Sequence, residues 1–392
     1  MAETVLLEGN AAVAFALKQV NPDVVAAYPI TPATEVVQEF SNYVANGEVD
    51  TEFVAVESEH SAMSACIGAS CAGARVMTGT SSQGLALMWE MLYIASSLRR
   101  PIVMAVANRA LSGNINIHCD HSDAMGARDS GWIQLFCENT QGIYDTTIQA
   151  VRVAENTNVQ LPVMVCYDGF VISHAVEVVD ILSDAEVRQF IGPFEPVAPL
   201  LDIRNPKTIG PLDLQDYYFE HKRNQAEVYK NVEAVVEDVG EAFGKLSGRQ
   251  YGVVDAYRLE DAEVGIVLLG STAGTAKDVV DSMRAKGHKV GLLSIRMFVP
   301  FPVDKIVGAI QHLKCIGVMD RHAALGSYGA PLFTAVRSAL YGKTTVPVLN
   351  FMYGLGGREI TMAEIEGIFT TLETTAAEGV KGEGIYWIGV RE

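Results

Sequence analysis

Between Phe53 and Glu90 the chain runs strand, helix, strand, turn, helix, and that alternation leaves few folds open. Phe53-Val54-Ala55-Val56 is a short apolar run, and His60 to Ala74 consists almost wholly of small residues with no proline. Arg75-Val76-Met77-Thr78 is a second extended run, Gly79 to Gly84 a turn, and Leu85 to Leu98 a long apolar helix. A helix so rich in Ala, Ser, Cys and Gly lets another backbone approach closely. One acid, Glu59, stands where the first strand ends and that helix begins. Ligands of α/β sheets bind at strand ends, so the position suits chemistry. It equally suits a carboxylate that only complements the helix dipole.

The flanking segments repeat the alternation. Gly9 to Val20 reads as an amphipathic helix and Val24 to Tyr28 as a strand, followed by Pro29-Ile30-Thr31-Pro32. Pro32 fits the first turn of a helix with Thr31 as its N-cap, so the Thr31 hydroxyl either caps or faces a ligand. Pro101 to Ala107 is a strand that empties into a long loop, Asn108 to Gly131. Such a loop in a compact domain is functional or disordered. It carries more polar groups than a connector needs. Arg109 follows the strand end directly, where a planar fork can reach a carboxylate ligand or pair with a nearby acid. His118, Asp120, His121 and Asp123 are weakly patterned for a metal, and none is expected. Trp132 to Phe136 and Pro162 to Cys166 read as strands, with a helix from Thr146 to Thr157 between them. About six strands alternating with helices give a parallel sheet covered on both faces. No G-x-G-x-x-G follows a strand, so a dinucleotide fold has no support.

From Ser183 to Pro211 five prolines interrupt any periodicity, which marks a connector, and Gln215 to Leu246 reads as a charged, mostly helical span. A second α/β unit follows, with strands at Gly265–Gly270, Lys289–Ser294, Cys315–Met319 and Val346–Tyr353. Gly270 and Gly274 mark either a helix packed closely on its sheet or a phosphate loop, though no Lys-Ser/Thr pair follows. The expected division is 1–182, 183–258 and 259–392.

The totals narrow the function. A net charge of −18 argues against nucleic acid or an anionic membrane as the main partner. The six cysteines lack C-x-x-C spacing, which removes zinc ribbons and ferredoxin-type clusters and suits a reducing cytoplasm. The N-terminal stretch has no signal-peptide pattern and no run of about 18 apolar residues occurs, so a cytoplasmic chain is expected.

Several motifs, taken together, are similar to those of one family. They are Tyr28-Pro29-Ile30-Thr31-Pro32, Glu57-Ser58-Glu59-His60-Ser61-Ala62 and Thr80-Ser81-Ser82-Gln83-Gly84. Most specific are Asn108-Arg109-Ala110-Leu111-Ser112 and Ile115 to Asp123; Asp320-Arg321 and the turn Gly354 to Arg358 fit as well. Over nearly its whole length the chain resembles the alpha subunit of the 2-oxoacid:ferredoxin oxidoreductases, most of all the pyruvate enzymes.

That resemblance implies the pyrimidine-binding half of a thiamine diphosphate site, followed by a transketolase C-terminal-like domain. Glu59 then matches the catalytic glutamate that bonds N1′ of the aminopyrimidine, where proton sharing favours the imino tautomer. A largely buried Glu59 is implied, since desolvation favours the neutral acid that can donate. Thr31 and Arg109 match positions holding the substrate's carboxylate and oxo group, and Ser82 and Gln83 lie on a loop lining the cofactor. The family's diphosphate half needs Gly-Asp-Gly and an Asn for Mg²⁺; the nearest match here, Tyr167-Asp168-Gly169, lacks the first glycine. Mg²⁺ and [4Fe-4S] clusters are therefore expected on beta, gamma and delta-type partner subunits, with ferredoxin and CoA as substrates of the complex. The apolar segment Leu85–Leu98 is a candidate for the beta interface. The alternatives are the same chemistry on a branched-chain 2-oxoacid, 2-oxoglutarate or oxalate, or a non-catalytic nucleotide-binding or scaffold subunit. A second cation would be expected for a dicarboxylate, and Thr31 is not one.

Overall fold

A computed structural model describes residues 3–391; Met1 and Ala2 of the N-terminal stretch, and Glu392, lie outside it. Six strands of the first half form the expected parallel sheet, in the order Ile133–Phe136, Val163–Asp168, Ile102–Asn108, Val76–Thr80, Val24–Ala27, Glu52–Ala55. The central strands are buried from end to end, which is why they read as unbroken apolar runs. Helices lie on both faces. Gly9–Val20, Thr140–Glu155 and Val232–Ser247 share one hydrophobic cluster with the sheet, while Glu59–Ala72 and Trp89–Ser97 share another on the opposite side.

A seventh strand comes from far along the chain. Met297–Val299 adds antiparallel to the edge strand Ile133–Phe136, so the second half is stitched into the first sheet. The second half builds its own six-stranded sheet, ordered Ile385–Trp387, Val348–Met352, Cys315–Asp320, Val264–Leu268, Val290–Ile295, Val254–Tyr257. Only the last strand is antiparallel. A separate two-stranded antiparallel sheet pairs Glu3–Glu8 with Val176–Ile181.

Several local expectations shift. The helix after Pro32 begins at Thr34 with Ala33 as N-cap, and no side chain caps it, so Thr31 is not a cap. Its backbone instead joins a turn closed by the Ala33 N–H on the Ile30 carbonyl. The strand before the Ser82 loop runs on through Thr80, and the helix starts at Ser82. The long apolar helix is two pieces, Ser82–Leu87 and Trp89–Ser97, hinged at Met88. The segment read as a connector opens with a helix, Asp184–Ile191, started by a Ser183–Glu186 capping box. The charged span is Tyr218–Val228, with no buried residue, then Val232–Ser247, whose Val232, Val236 and Phe243 enter the core. All six cysteines are free and buried. Among the described residues no helix is long and apolar enough to cross a membrane.

Candidate functional site

Glu59 is the first residue of the small-residue helix, with Ser58 as its N-cap. The helix N-terminus meets the start of Ser82–Leu87 at Gly84. A Cβ at Gly84 would lie 2.7 Å from Glu59 Oε1 and would run into Thr80 Oγ1, so only glycine lets this backbone pass. Glu59 is buried, and among the described residues its carboxylate has no hydrogen-bond partner. The Thr80 hydroxyl beside it is also buried and unpartnered. Glu57, by contrast, lies exposed and accepts from Ser61 Oγ at 2.6 Å. That hydrogen bond, the largest influence on it, holds the Glu57 carboxyl below the usual glutamate value. The strand ends at Ala55, so both acids lie beyond it. Burial picks out Glu59.

With no donor from the described residues, the Glu59 carboxylate is open to a partner from outside the chain. The same holds for Arg109. Its guanidinium donates from Nε to the Asn116 carbonyl at 2.9 Å and from Nη1 to the Thr31 carbonyl at 2.9 Å. Among the described residues no carboxylate lies within ion-pair range, so the alternative of a structural ion pair is overturned. Burial lowers the Arg109 pKa from its ordinary value, and the nearby Asp123 charge offsets this only in part. The Thr31 side chain is exposed beside it, and Thr31 meets Arg109 through its carbonyl.

Ser82 and Gln83 bridge the two charges. Ser82 Oγ donates to the Ala110 carbonyl at 2.6 Å, and the Gln83 amide donates to Ser112 Oγ. The helix that packs on Glu59 is thus tied to the loop that carries Arg109. Asp123 fastens the junction. One of its oxygens accepts the Ser82 and Arg109 backbone N–H groups, each at 3.0 Å. The other accepts Asn108 Nδ2 at 2.8 Å and its neighbour Ala124 N–H at 2.7 Å. Burial nevertheless pushes the Asp123 carboxyl up to about 6.

The polar loop does not gather into a metal set. His118 packs its ring at a tilt against Phe170, Asp120 accepts from Ser122, and Asp123 is committed as above. Among the described residues the one group at ligand spacing is Cys119, His121 and Asp168. Asp168 is already saturated. Its carboxylate takes Arg321 Nη1 at 2.6 Å, His121 Nε2 at 2.8 Å, Ser271 Oγ at 2.5 Å and Ser271 N–H at 3.1 Å. Burial alone would raise this acid, but Arg321 and His121 outweigh it and hold it well below the carboxylate range. Asp168 therefore clamps the first sheet to the turn at Gly270 and to the strand end at Arg321, which counts against reading that turn as a phosphate loop. Asp320 caps the helix Pro331–Leu340, accepting from Leu332 and Phe333 N–H.

Sequence reading missed Asp123 and Thr80 as parts of this arrangement, and the pairing of Asp168 with Arg321. Thr80, Asp168 and Arg321 lie at or just past the polar end of an apolar strand, the one local signal that marks them, whereas Asp123 sits in the short helix Ser122–Gly126 inside the segment read as a loop. A cavity of about 730 Å³ opens elsewhere, lined by Asn139, Glu237, Arg249 and Tyr251, and none of Glu59, Thr31, Ser82 or Arg109 lines it. Exposed Leu87, Trp89 and Ile94 lie on the two helices that follow Thr80.

Comparison with known proteins bears on this geometry. Residues 15–241 match the family model described as pyruvate flavodoxin/ferredoxin oxidoreductase, thiamine diphosphate-binding, and residues 262–365 match pyruvate:ferredoxin oxidoreductase core domain II. The chain is 55% identical to a pyruvate synthase subunit PorA of Thermotoga maritima, with 94% of each chain covered. It is 45% identical to the PorA subunit of Methanocaldococcus jannaschii, over 100% of this chain and 99% of that one. A 2-oxoglutarate:ferredoxin oxidoreductase from Magnetococcus marinus, solved with 2-oxoglutarate, coenzyme A and succinyl-CoA, shares the fold at a TM-score of 0.71 and 22% identity. That match covers 94% of this chain and 65% of the longer one.

Proposed function

Because the chain belongs to the thiamine diphosphate-binding pyruvate:ferredoxin oxidoreductase family, we propose that it is the alpha subunit of a pyruvate synthase. The complex would convert pyruvate, CoA and oxidised ferredoxin to acetyl-CoA, CO₂ and reduced ferredoxin, reversibly. One observation carries the assignment of its site. Among the described residues a buried carboxylate without a donor, Glu59, and a buried guanidinium without a carboxylate, Arg109, are joined through one short helix, which meets Glu59 at Gly84 and the Arg109 loop at Ser82.

The residues present fit the pyrimidine half of the cofactor: an unpartnered carboxylate, the orphaned Thr80 hydroxyl, and a close approach that only Gly84 allows. When bound, thiamine diphosphate supplies the electron sink that 2-oxoacid cleavage needs. Glu59 holds or donates a proton at its carboxyl oxygen toward a ring nitrogen of the base. Arg109 neutralises the substrate carboxylate until CO₂ leaves, and the Thr31 carbonyl fixes the direction of its fork. The Thr31 hydroxyl orients the substrate, and Ser82 and Gln83 line the cofactor. The carboxylate of Asp168, saturated by this chain's own groups, supports placing the diphosphate and its Mg²⁺ on a beta subunit. The exposed Leu87, Trp89 and Ile94 suit that contact, and [4Fe-4S] clusters belong on further subunits that pass electrons to ferredoxin in the cytoplasm. The division 1–182, 183–258 and 259–392 places the pyrimidine half, a connector and a transketolase C-terminal-like domain in that order.

Dye reduction by the assembled complex tests this, with pyruvate, 2-oxoglutarate, 2-oxoisovalerate and oxalate, wild type against Glu59→Gln. The expected result is a pyruvate-selective rate that falls at least about 100-fold in Glu59→Gln. Full activity in that variant removes Glu59 from the chemistry, and selectivity for another acid moves the substrate while keeping the fold.

A further inference from the structure

Arg109 is fixed from two directions, and one of them begins in the second sheet. The strand Val348–Met352 leads into the turn Gly354-Leu355-Gly356-Gly357, where Gly356 and Gly357 have φ of 61° and 80°. Positive φ is only half the reason for glycine there. A Cβ at Gly356 would stand 2.5 Å from Asn116 Nδ2, and one at Gly357 would run into His118 Cβ. The turn is moulded against the Arg109 loop.

The contacts are specific. Asn116 Nδ2 donates to the Gly356 carbonyl at 3.1 Å, and the Gly357 N–H donates to the Cys119 carbonyl at 2.6 Å. Asn116 Oδ1 accepts the His118 N–H at 2.7 Å, and the Ala110 N–H closes the loop on the His118 carbonyl at 3.0 Å. The Asn116 carbonyl then accepts Arg109 Nε at 2.9 Å. The His121 N–H, two residues past Cys119, is held by the Arg321 carbonyl at 2.8 Å. Arg109 thus takes one carbonyl from the turn after the first-sheet strand Val24–Ala27, that of Thr31, and one from a loop seated on the second sheet.

We infer that the Gly356-Gly357 turn, acting through Asn116, is a positioning element that aims the Arg109 fork at the 2-oxoacid carboxylate. The inference rests on the proposal that Arg109 binds that carboxylate. It gives the C-terminal sheet a part in substrate recognition without any of its residues touching substrate. A fork held by two carbonyls loses its aim when either is displaced, and ångström-scale misplacement is costly to binding.

The control lies in the same half of the chain. Gly342 also has positive φ, at 72°, and a Cβ there meets nothing within 4 Å. Gly342→Ala therefore carries backbone strain without the contact. The experiment is pyruvate-dependent dye reduction by the assembled complex, with KM, kcat, cofactor reconstitution and thermal melting measured for Gly356→Ala, Asn116→Ala, Gly342→Ala and Arg109→Lys. The expected result is a rise of roughly tenfold in the KM for pyruvate in Gly356→Ala and Asn116→Ala, with a smaller change in kcat. Cofactor affinity should stay at the wild-type value, and Gly342→Ala should keep the wild-type KM. Asn116→Ala adds no strained backbone, so it decides the matter if Gly356→Ala fails to assemble. A wild-type KM in Asn116→Ala, beside a raised KM in Arg109→Lys, overturns the inference and leaves the substrate role intact. A wild-type KM in Arg109→Lys overturns the substrate role and the inference with it.

Discussion

Two arginines follow directly from buried strands in this chain, Arg109 after Ile102–Asn108 and Arg321 after Cys315–Asp320, and they are 6% and 5% exposed. Their partners distinguish them. Arg321 meets Asp168 at 2.6 Å, and that neighbour, outweighing burial, raises its pKa further above the ordinary range. The Arg109 guanidinium meets two backbone carbonyls and, among the described residues, no acid within ion-pair range. The acids divide in the same way. Asp168, 1% exposed, accepts four hydrogen bonds, whereas Glu59, 7% exposed, accepts none among the described residues. Removing a charge from water is costly, so a pair joined within the chain holds the fold, whereas a pair the chain leaves open is free to meet a ligand. The Asp168–Arg321 pair, joined within the chain, is architecture, and Glu59 with Arg109 is the proposed site.

The sharpest way to break that contrast is to open the saturated pair. Asp168→Asn keeps the shape and leaves Arg321 buried without its counter-charge, which should destabilise the fold by about 3–5 kcal/mol. The pH dependence has a definite sign. A carboxyl held below its unfolded value contributes stability that is present above the unfolded pKa and is lost as pH falls through the folded one. The gap in melting temperature between wild type and Asp168→Asn should be full from about pH 5 to 7 and shrink only below about pH 4. Equal melting at pH 7 would show that the sheets are not held by this pair.

Asp123 sharpens the contrast from between the two cases, because its partners are donors without full charge. Asp123→Asn turns one acceptor into a donor facing two N–H groups, at a cost of about 1–3 kcal/mol. Its pH sign is opposite to that of Asp168. Burial raises the carboxyl to about 6, so its stabilising contribution is present below the unfolded pKa and lost as pH rises through about 6. The deficit of Asp123→Asn should therefore be larger near pH 5 than near pH 7. Thermal melts at the two values decide it, and a deficit that grows toward pH 7 contradicts the account. Since Asp123 holds both Ser82 and Arg109, the variant should disturb cofactor and substrate binding together.

What was legible beforehand follows the range of the physics involved. The six parallel strands of the first half could be read because each is a short apolar run whose burial is continuous. Glu59 and Arg109 could be singled out because each abuts such a run. Thr31 could not be resolved between cap and ligand, because the answer depended on a helix start at Thr34 that no residue pattern marks. The Glu3–Glu8 and Val176–Ile181 pair escaped notice because its partners lie some 170 residues apart and its outer face keeps Leu6, Val176 and Val178 exposed. Met297–Val299 is too short to carry a period, and its role appears only once it pairs with Ile133–Phe136. Asp168 and Arg321 were each visible at a strand end, but nothing local says that one answers the other.

The finest break in the comparison is made at Arg109 itself. Lysine keeps the charge and loses the fork, so Arg109→Lys can hold one carbonyl or reach a carboxylate but cannot do both in one plane. If the open pair is reserved for ligand, the change should raise the KM for pyruvate about tenfold, roughly 1.4 kcal/mol, with little effect on melting. No acid loses its counter-charge, so the penalty that governs Asp168→Asn has no counterpart here. The opposite pattern, a melting loss like that of Asp168→Asn with an unchanged KM, would make Arg109 a second architectural arginine. In that case the unpaired Glu59 would stand alone, and one unsatisfied carboxylate at a helix N-terminus is weaker grounds for a site than two opposite charges held open across one helix.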